Sequence, residues 1–368
     1  MNQKSIGEKW KVKILLTGAF GNVGSSTLDE LVKRDHIIRC FDIPTRKNKR
    51  TARKFKKFSN KLEIVWGDLR NPLQVVDAVE GIDVVIHLAA IIPPLANERP
   101  ELAEPVNVGG TRNIINAIKK MPRKAKLIFS SSVATYGDVR HKGFNYVIKV
   151  TDEFNPSPHD EYARMKVRCE KMIRESGLNW TIFRFAAIPP MDQGIDPLMY
   201  EVPLDTPIEM CHTKDTGLAM ANASESTEIW GKILHIAGGE SCRVPYSEYV
   251  GRMLEAMGIG SLPEEAFSEE PFHCGYMDTT ESQRILQYQR YSYVDYLQET
   301  KKRYSFAKIF IKIFRPAIRY QLLRLSPHYK AYLKTVKQYM KPKKHSKKAK
   351  AKSVQTKPID TIPSKTGK

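Results

Sequence analysis

The chain has 368 residues, enough to bury one large core or a core with a smaller lobe. Hydrophobic residues make up 41% and charged residues 27%, a globular composition that excludes a collagen-like or wholly disordered chain. The net charge of +20 sits at one end: residues 301–368 hold 21 Lys or Arg against Asp360 alone, which leaves 39 basic and 39 acidic residues in 1–300, so the basic balance says nothing about the body. Five cysteines at 40, 169, 211, 242 and 274 form no C-x-x-C pair and are odd in number, which argues against a disulfide framework or a zinc site; no metal is expected. Met1–Lys13 is polar, and no run of 18 apolar residues exists, so the expectation is a cytoplasmic protein without a spanning helix.

Short apolar runs alternate with amphipathic stretches over the first 190 residues. Strands are predicted at Lys13–Thr17, Ile37–Asp42, Leu62–Trp66, Asp83–Leu88, Lys126–Ser130 and Trp180–Phe185. Helical periodicity fills Ser25–Arg34, Gly110–Lys119 and Glu161–Glu175, and the polar, basic segment Thr45–Lys61 reads as a loop. Continuous apolar strands between helices imply an α/β fold with a doubly wound parallel sheet covered on both faces. From about Pro189 the pattern loosens. Met191–Thr206 is rich in Pro, Asp and Gly, Lys232–Ala237 reads as a returning strand and Tyr246–Met257 as a helix, together a small C-terminal lobe for substrate. No internal repeat is present.

The first strand runs into Gly18-Ala19-Phe20-Gly21-Asn22-Val23-Gly24 and then a helix. Glycines at that junction permit a tight turn and close approach of a pyrophosphate to the helix N-terminus, where unpaired N–H groups and the helix dipole favour an anion. Asp42 ends the second strand, 18 residues after Gly24, where a carboxylate accepts hydrogen bonds from an adenosine ribose diol and repels a 2′-phosphate; this favours NAD over NADP. Arg46, Lys47, Lys49 and Arg50 follow closely and are the groups that would serve NADP instead. Tyr162 and Lys166 lie four apart in a predicted helix and so share one face. An ammonium there is expected to lower the phenol's pKa, fitting it to exchange a proton with a substrate hydroxyl. Ser130-Ser131-Ser132 ends the fifth strand, at the sheet edge where ligands of such folds bind.

In order along the chain these elements resemble the extended short-chain dehydrogenases/reductases, specifically the NAD-dependent epimerase/dehydratase family. The matching landmarks are T-G-x-x-G-x-x-G at Thr17–Gly24, Asp68-Leu69 after the third strand, His87-Leu88-Ala89-Ala90 after the fourth, and Asn107-Val108-Gly109-Gly110-Thr111. Ser131-Ser132-Val133-Ala134-Thr135-Tyr136-Gly137 follows, then Tyr162-x-x-x-Lys166, 30 residues beyond Ser132. The resemblance covers residues 12–190 and reaches to about 300 through Lys214-Asp215 and His235–Gly239. It implies a Rossmann-like domain in 1–190, a substrate lobe in 191–300, and catalysis by Tyr162, Lys166 and Ser132, the second serine of its motif. It also implies cofactor contacts from Gly18, Phe20, Gly21, Asn22, Val23, Gly24, Asp42, Asp68, Leu69, Leu88, Ala89, Ala90, Asn107, Tyr162 and Lys166, and a homodimer through the helices of Asn107 and Tyr162. Two departures bear on the substrate. Val133 and Ala134 replace the acid pair of the family's dehydratases, which argues against dehydration. The loop Arg184-Phe185-Ala186-Ala187-Ile188-Pro189-Pro190 lacks the Asn with which many members touch a nucleotide diphosphate. The family favours a nucleotide sugar, worked on by an epimerase or dehydrogenase, which is the first expectation. The missing Asn and the short stretch from Pro190 to Ile208 favour the alternative, an alcohol dehydrogenase or ketone reductase acting on a smaller or more apolar substrate. A cofactor-sensing protein without turnover is the third alternative, against which the intact Tyr-Lys-Ser set counts. His87, Trp66 and His212 are expected to pack, not to react.

The end of the chain carries a second signal. Over Tyr304–Leu325 a helical wheel places Lys308, Lys312, Arg315 and Arg319 on one face and Phe306, Ile309, Phe310, Ile313, Phe314 and Ala317 on the other, with Pro316 expected to kink or divide the helix. Either this helix lies in an anionic membrane surface, with residues 304–352 contributing about 1 kcal/mol per basic group, or it docks its apolar face on the body or a partner subunit. Nucleic acid is the less favoured partner, because no recognition motif is present. The segment 301–340 is expected to be helical, and the Lys-rich 341–368 disordered.

Overall fold

Seven of the short apolar runs become neighbouring strands of one sheet in the computed structural model of the protein, which describes residues 11–191 and 194–340. The first half contains β1 (Lys13–Thr17), α1 (Asn22–Leu31), β2 (Ile37–Asp42), α2 (Arg46–Arg53), β3 (Leu62–Trp66), α3 (Pro72–Val79) and β4 (Val84–His87). Short helices α4 (Leu95–Glu98) and α5 (Pro100–Glu104) lead through a π-turn into α6 (Gly110–Lys120), β5 (Lys126–Ser132), the short β6 (Val147–Ile148), α7 (Glu161–Arg174) and β7 (Trp180–Phe185). Then come β8 (Pro207–Glu209), α8 (Thr213–Glu225), β9 (Ile233–Ile236), β10 (Arg243–Pro245) and α9 (Tyr246–Met257). The last elements are β11 (Tyr276–Met277), α10 (Thr280–Leu286), α11 (Tyr293–Arg303), α12 (Ala307–Ile313), α13 (Arg315–Leu325) and α14 (Pro327–Met340).

The sheet order is β3-β2-β1-β4-β5-β7-β9, and every pairing is parallel. The chain winds outward from β1 in both directions, as expected for a doubly wound fold. Ile14, Leu15 and Leu16 of β1 are all fully buried, because helices cover both faces: α1, α2 and α8 on one, α3, α6 and α7 on the other. The register aligns Thr17 with Phe41 and His87, His87 with Phe129, and Ser132 with Phe185. The C-terminal ends of the strands therefore form one edge.

One expectation changes, and one of two open alternatives is decided against docking on the body. Thr45–Lys61 is not a loop: Thr45 accepts the Asn48 N–H at 3.1 Å and starts α2, and Ala52 and Phe55 are buried at a spacing of three. A few apolar anchors suffice to fold a strongly basic helix against the core. At the other end, the apolar face of α12 does not dock on the body. Phe306 is 91% exposed and Phe310 67%, while Arg315 and Arg319 turn inward onto the turn after α9. The expected break near Pro316 is present, with Phe314 separating α12 from α13. The expected disordered segment 341–368 lies outside the described residues.

Behind β5 a charged group is sealed into the core. Glu170 of α7 is 0% exposed and pairs with Arg184 of β7, 2% exposed, at 2.7 Å. Ser131 donates to Glu170 at 2.5 Å, and Arg184 also donates to the Tyr136 hydroxyl, which meets His235 at 2.7 Å. This network ties α7 to β5 and β7 at the level of the catalytic candidates. Replacing Glu170 with Ala strands a buried guanidinium and is predicted to cost about 3–5 kcal/mol by denaturant unfolding. The double variant Glu170→Ala/Arg184→Met is predicted to recover part of that loss; a single substitution costing under about 1 kcal/mol would contradict a tightly coupled pair.

Candidate active site

A cleft of about 940 Å³ follows the C-terminal edge of the sheet. At one end lies the glycine-rich turn. Gly18 has φ +68, and a Cβ there would come within 2.9 Å of the Ala89 backbone; a Cβ on Gly24 would sit 2.0 Å from the Gly18 carbonyl oxygen. Only bare backbone lets the turns after β1 and β4 approach this closely. Gly21 begins α1, no side chain caps that helix, and Asn22, Val23 and Gly24 line the cleft. The unpaired N–H groups of the first turn form an anion seat of the kind a dinucleotide pyrophosphate requires.

Asp42 reaches back to the same turn. Its carboxylate accepts the Phe20 N–H at 2.9 Å, the Ile43 N–H at 2.8 Å and the Asn48 side chain at 2.9 Å. Burial raises its pKa, against those backbone hydrogen bonds. Lys47 and Asn48 flank it on the cleft wall. Asp68 and Leu69 line the same region, with Asp68 held by Arg70 at 2.6 Å, as do Leu88, Ala89 and Ala90.

Two expected cofactor residues lie elsewhere. The Phe20 ring is buried in the core, 5.3 Å from Trp66, and only its backbone serves the site, through Asp42. Asn107 is buried and clamps Ile91 from behind, with 2.8 Å hydrogen bonds to its N–H and its carbonyl oxygen. His87 is held between Thr17 at 2.8 Å and Thr111 at 3.1 Å. Burial and the nearby Lys166 push its pKa down to about 3, so it stays neutral.

The three serines of β5 divide their work. Ser130 donates to the His87 carbonyl at 3.1 Å, Ser131 to Glu170, and Ser132 turns into the cleft beside Tyr162 and Lys166. Lys166 is buried and its ammonium donates to the Ser130 carbonyl at 2.6 Å. Its Nζ lies 5.6 Å from the centre of the Tyr162 ring. Burial pushes the Lys166 pKa down to about 8. The Tyr162 pKa moves opposite to the sequence expectation. Burial raises it above the ordinary phenol value, Asp160 adds to this, and a hydrogen bond from Ser132 only opposes it. The phenol is thus a neutral proton donor at rest.

Sequence reasoning passed over the residues that hold Tyr162 in place. Asp160 caps α7 by accepting the Ala163 N–H at 3.0 Å and pairs with His273 from the smaller lobe. Burial alone would raise the Asp160 carboxyl, but the hydrogen bond and charge of His273, together with hydrogen bonds from the Ala163 N–H and Asn97, outweigh it and hold it low. Asn97 accepts the Tyr162 N–H at 2.9 Å. The Asp one residue ahead of a periodic run was a readable capping signal; Asn97 and His273, 65 and 111 residues from Tyr162, left none.

Beyond the catalytic candidates the cleft becomes apolar. Ile91, Ile188, Met191, Met199, Tyr246, Met253 and Met257 line it. The cations on this part of the wall, among the described residues, are His273, paired with Asp160, and Arg303 at the far end.

Residues 14–188 match the sequence profile of the NAD dependent epimerase/dehydratase family. This segment belongs to that family. NAD is the family's cofactor, and the glycine turn, the open first turn of α1 and Asp42 fit it. Over 166 residues the chain is 30% identical to a 3 beta-hydroxysteroid dehydrogenase/Delta 5→4-isomerase of Mycobacterium tuberculosis, covering 44% of this chain and 42% of that protein. The chain spans about half the length of the curated relatives it matches. Among solved structures it resembles a UDP-glucose-4-epimerase from Stenotrophomonas maltophila with bound NAD and formylated UDP-arabinopyranose, at TM-score 0.67 and 17% identity, over 81% of this chain and 99% of that one. It also resembles the dTDP-glucose 4,6-dehydratase DesIV from Streptomyces venezuelae with NAD and TYD bound, at TM-score 0.68 and 20% identity, over 81% and 98%. These likenesses establish the fold.

Two substitutions probe the geometry. Gly24→Val is predicted to abolish NAD binding in a calorimetric titration, because its side chain meets the Gly18 carbonyl; unchanged affinity would contradict the tight turn. Asp160→Ala removes a helix cap and is predicted to cost about 1 kcal/mol of stability by thermal unfolding while lowering kcat more than KM.

Proposed function

We propose that the protein is an NAD-dependent dehydrogenase that interconverts a largely apolar secondary alcohol and its ketone, with Tyr162, Lys166 and Ser132 as the catalytic residues. The observation that carries this is the apolar wall beyond Tyr162, where a diphosphate would meet methionines and isoleucines and, among the described residues, only Arg303 as a cation not already engaged by Asp160. The 30% identity to a protein named as a hydroxysteroid dehydrogenase supports the same substrate class. A nucleotide sugar, the substrate named for the solved neighbours, is the competing possibility. Val133 and Ala134 place no acid or base beside Ser132, which supports hydride transfer without loss of water.

Bound NAD supplies the hydride acceptor, and its reduced form the donor. Ser132 donates a hydrogen bond to the reacting oxygen and fixes it beside the Tyr162 phenol. Tyr162 gives its proton to that oxygen during ketone reduction and takes it back during oxidation. Lys166 holds the nicotinamide ribose and places a positive charge beside the phenol, favouring proton release when it is required. His273, Asp160 and Asn97 fix where Tyr162 stands.

Absorbance at the reduced-nicotinamide band tests the substrate class. With NAD and a panel of sterol-like alcohols and UDP-sugars, net reduced cofactor is expected from an apolar alcohol and none from the sugars. Conversion of a UDP-sugar with no net absorbance change would overturn the assignment in favour of epimerisation. Tyr162→Phe is expected to lower kcat about 10²–10⁴-fold with cofactor affinity retained; full activity in that variant would remove Tyr162 from the chemistry. The ammonium of Lys166 is present below its pKa of about 8 and lost above it, so kcat/KM for ketone reduction is predicted to fall as pH rises through that value. A rate that climbs through the same range would contradict the role given to Lys166.

A further inference from the structure

The apolar row Phe306, Ile309, Phe310 and Ile313 repeats at i, i+3, i+4 and i+7, the spacing of a face made for burial, yet each of these side chains is exposed. Phe314 at the end of α12 is exposed as well. What turns this face outward is the opposite side of the pair α12–α13. Arg315 donates to the Ile259 carbonyl at 2.8 Å and Arg319 to the Gly260 carbonyl at 3.0 Å and to the Ser261 carbonyl. These carbonyls follow the left-handed Gly258 that ends α9, where a cation is favoured by the helix dipole. Ile311, Ile318 and Leu322 pack on the lobe beside the arginines, and Tyr200 donates to the Leu322 carbonyl at 2.8 Å. The helix pair is anchored by its mixed basic and apolar side and presents its purely apolar side to solvent.

We propose that this face docks on an anionic phospholipid bilayer. Charge selects that occupant. Residues 301–340 contain 11 Lys or Arg and no acid, and residues 341–368 add 10 Lys against Asp360. Two copies apposed through the face would bring two such segments together with no acid to offset them, whereas an anionic headgroup layer neutralises them while its acyl region takes up the phenylalanines. Lys301, Lys302, Lys312 and Arg324, in the same stretch of chain, are exposed. The face also adjoins the active-site cleft, since Thr300, Arg303 and Tyr304, just ahead of Phe306, line its far end. If the substrate is an apolar alcohol, docking sets that end of the cleft at the surface where such a molecule dissolves. This second point rests on the proposed substrate class; the docking itself does not.

Co-sedimentation of the full chain with vesicles tests the docking, in the absence of substrate. Binding is expected to vesicles of phosphatidylcholine containing about one-third phosphatidylglycerol, with much weaker binding to phosphatidylcholine alone. Phe310→Glu/Ile313→Glu is expected to weaken the former by about tenfold or more with NAD affinity unchanged. Phe306→Glu, at a side chain 91% exposed and free to change without repacking, is expected to move in the same direction. No binding to the anionic vesicles would overturn the proposal. So would equal binding by wild type and variants, which would assign it to the lysines alone, or a dimer in sedimentation equilibrium that the same substitutions dissolve, which would give the face to a second copy. Because no turnover is read, failure here leaves the substrate assignment standing, and failure with sterol-like alcohols leaves the docking standing.

Discussion

Lys166 brings an amino group into a region stripped of water, and the Ser130 carbonyl receives it at 2.6 Å. Much of the site depends on how that contact is held. It crosses from α7 to β5, so the helix carrying Tyr162 and the strand carrying Ser132 are locked in register at the point of reaction. Burial lowers the lysine to about 8 and raises the phenol. Both shifts come from the same loss of solvent, which disfavours whichever form carries charge. One step behind, Glu170 and Arg184 form a pair that fixes α7 against β5 and β7 without entering the cleft. Two charged layers therefore stand side by side, one closed and structural, the other open to ligand.

The cofactor half follows from backbone approach. With no Cβ on Gly18, the turns after β1 and β4 come together at the point where the winding direction of the sheet reverses, and the bare Gly24 lets α1 start tight against the first of them. Asp42 is tied to that turn through the Phe20 N–H, so the carboxylate assigned to the ribose and the turn assigned to the pyrophosphate are one unit. The substrate half has no such backbone device. Its wall is made of flexible methionines and aromatic side chains, suited to shape and apolar area more than to directed polar contacts.

The sheet was legible in the sequence because most strands are short, largely apolar runs, a pattern that solvation on either face would interrupt. Tyr246–Met257 was legible for the corresponding reason at helical spacing. The basic helix α2 was hidden because two anchors, Ala52 and Phe55, are too few for periodicity to register among the eight basic residues from Arg46 to Lys57. Glycines, Asp42 and the Tyr-Lys-Ser set could be singled out because the chemistry proposed for them requires fixed spacing. The partners that position them were not: His273 and Asn97 reach Tyr162 only through tertiary contact. The orientation of α12 was left open between two alternatives for a physical reason. A wheel separates apolar from basic residues but does not reveal that two arginines have a helix end to cap, and that hydrogen bonding set the orientation.

The central claim is that a hydride leaves the carbinol carbon of an apolar alcohol for NAD at Tyr162. Its most direct test uses an alcohol deuterated at that carbon and mass spectrometry of the cofactor recovered after one turnover. One deuterium in the reduced nicotinamide, absent from the Tyr162→Phe reaction, is the predicted result. Reduced cofactor without the label, or product formed with the label retained on carbon, would contradict it.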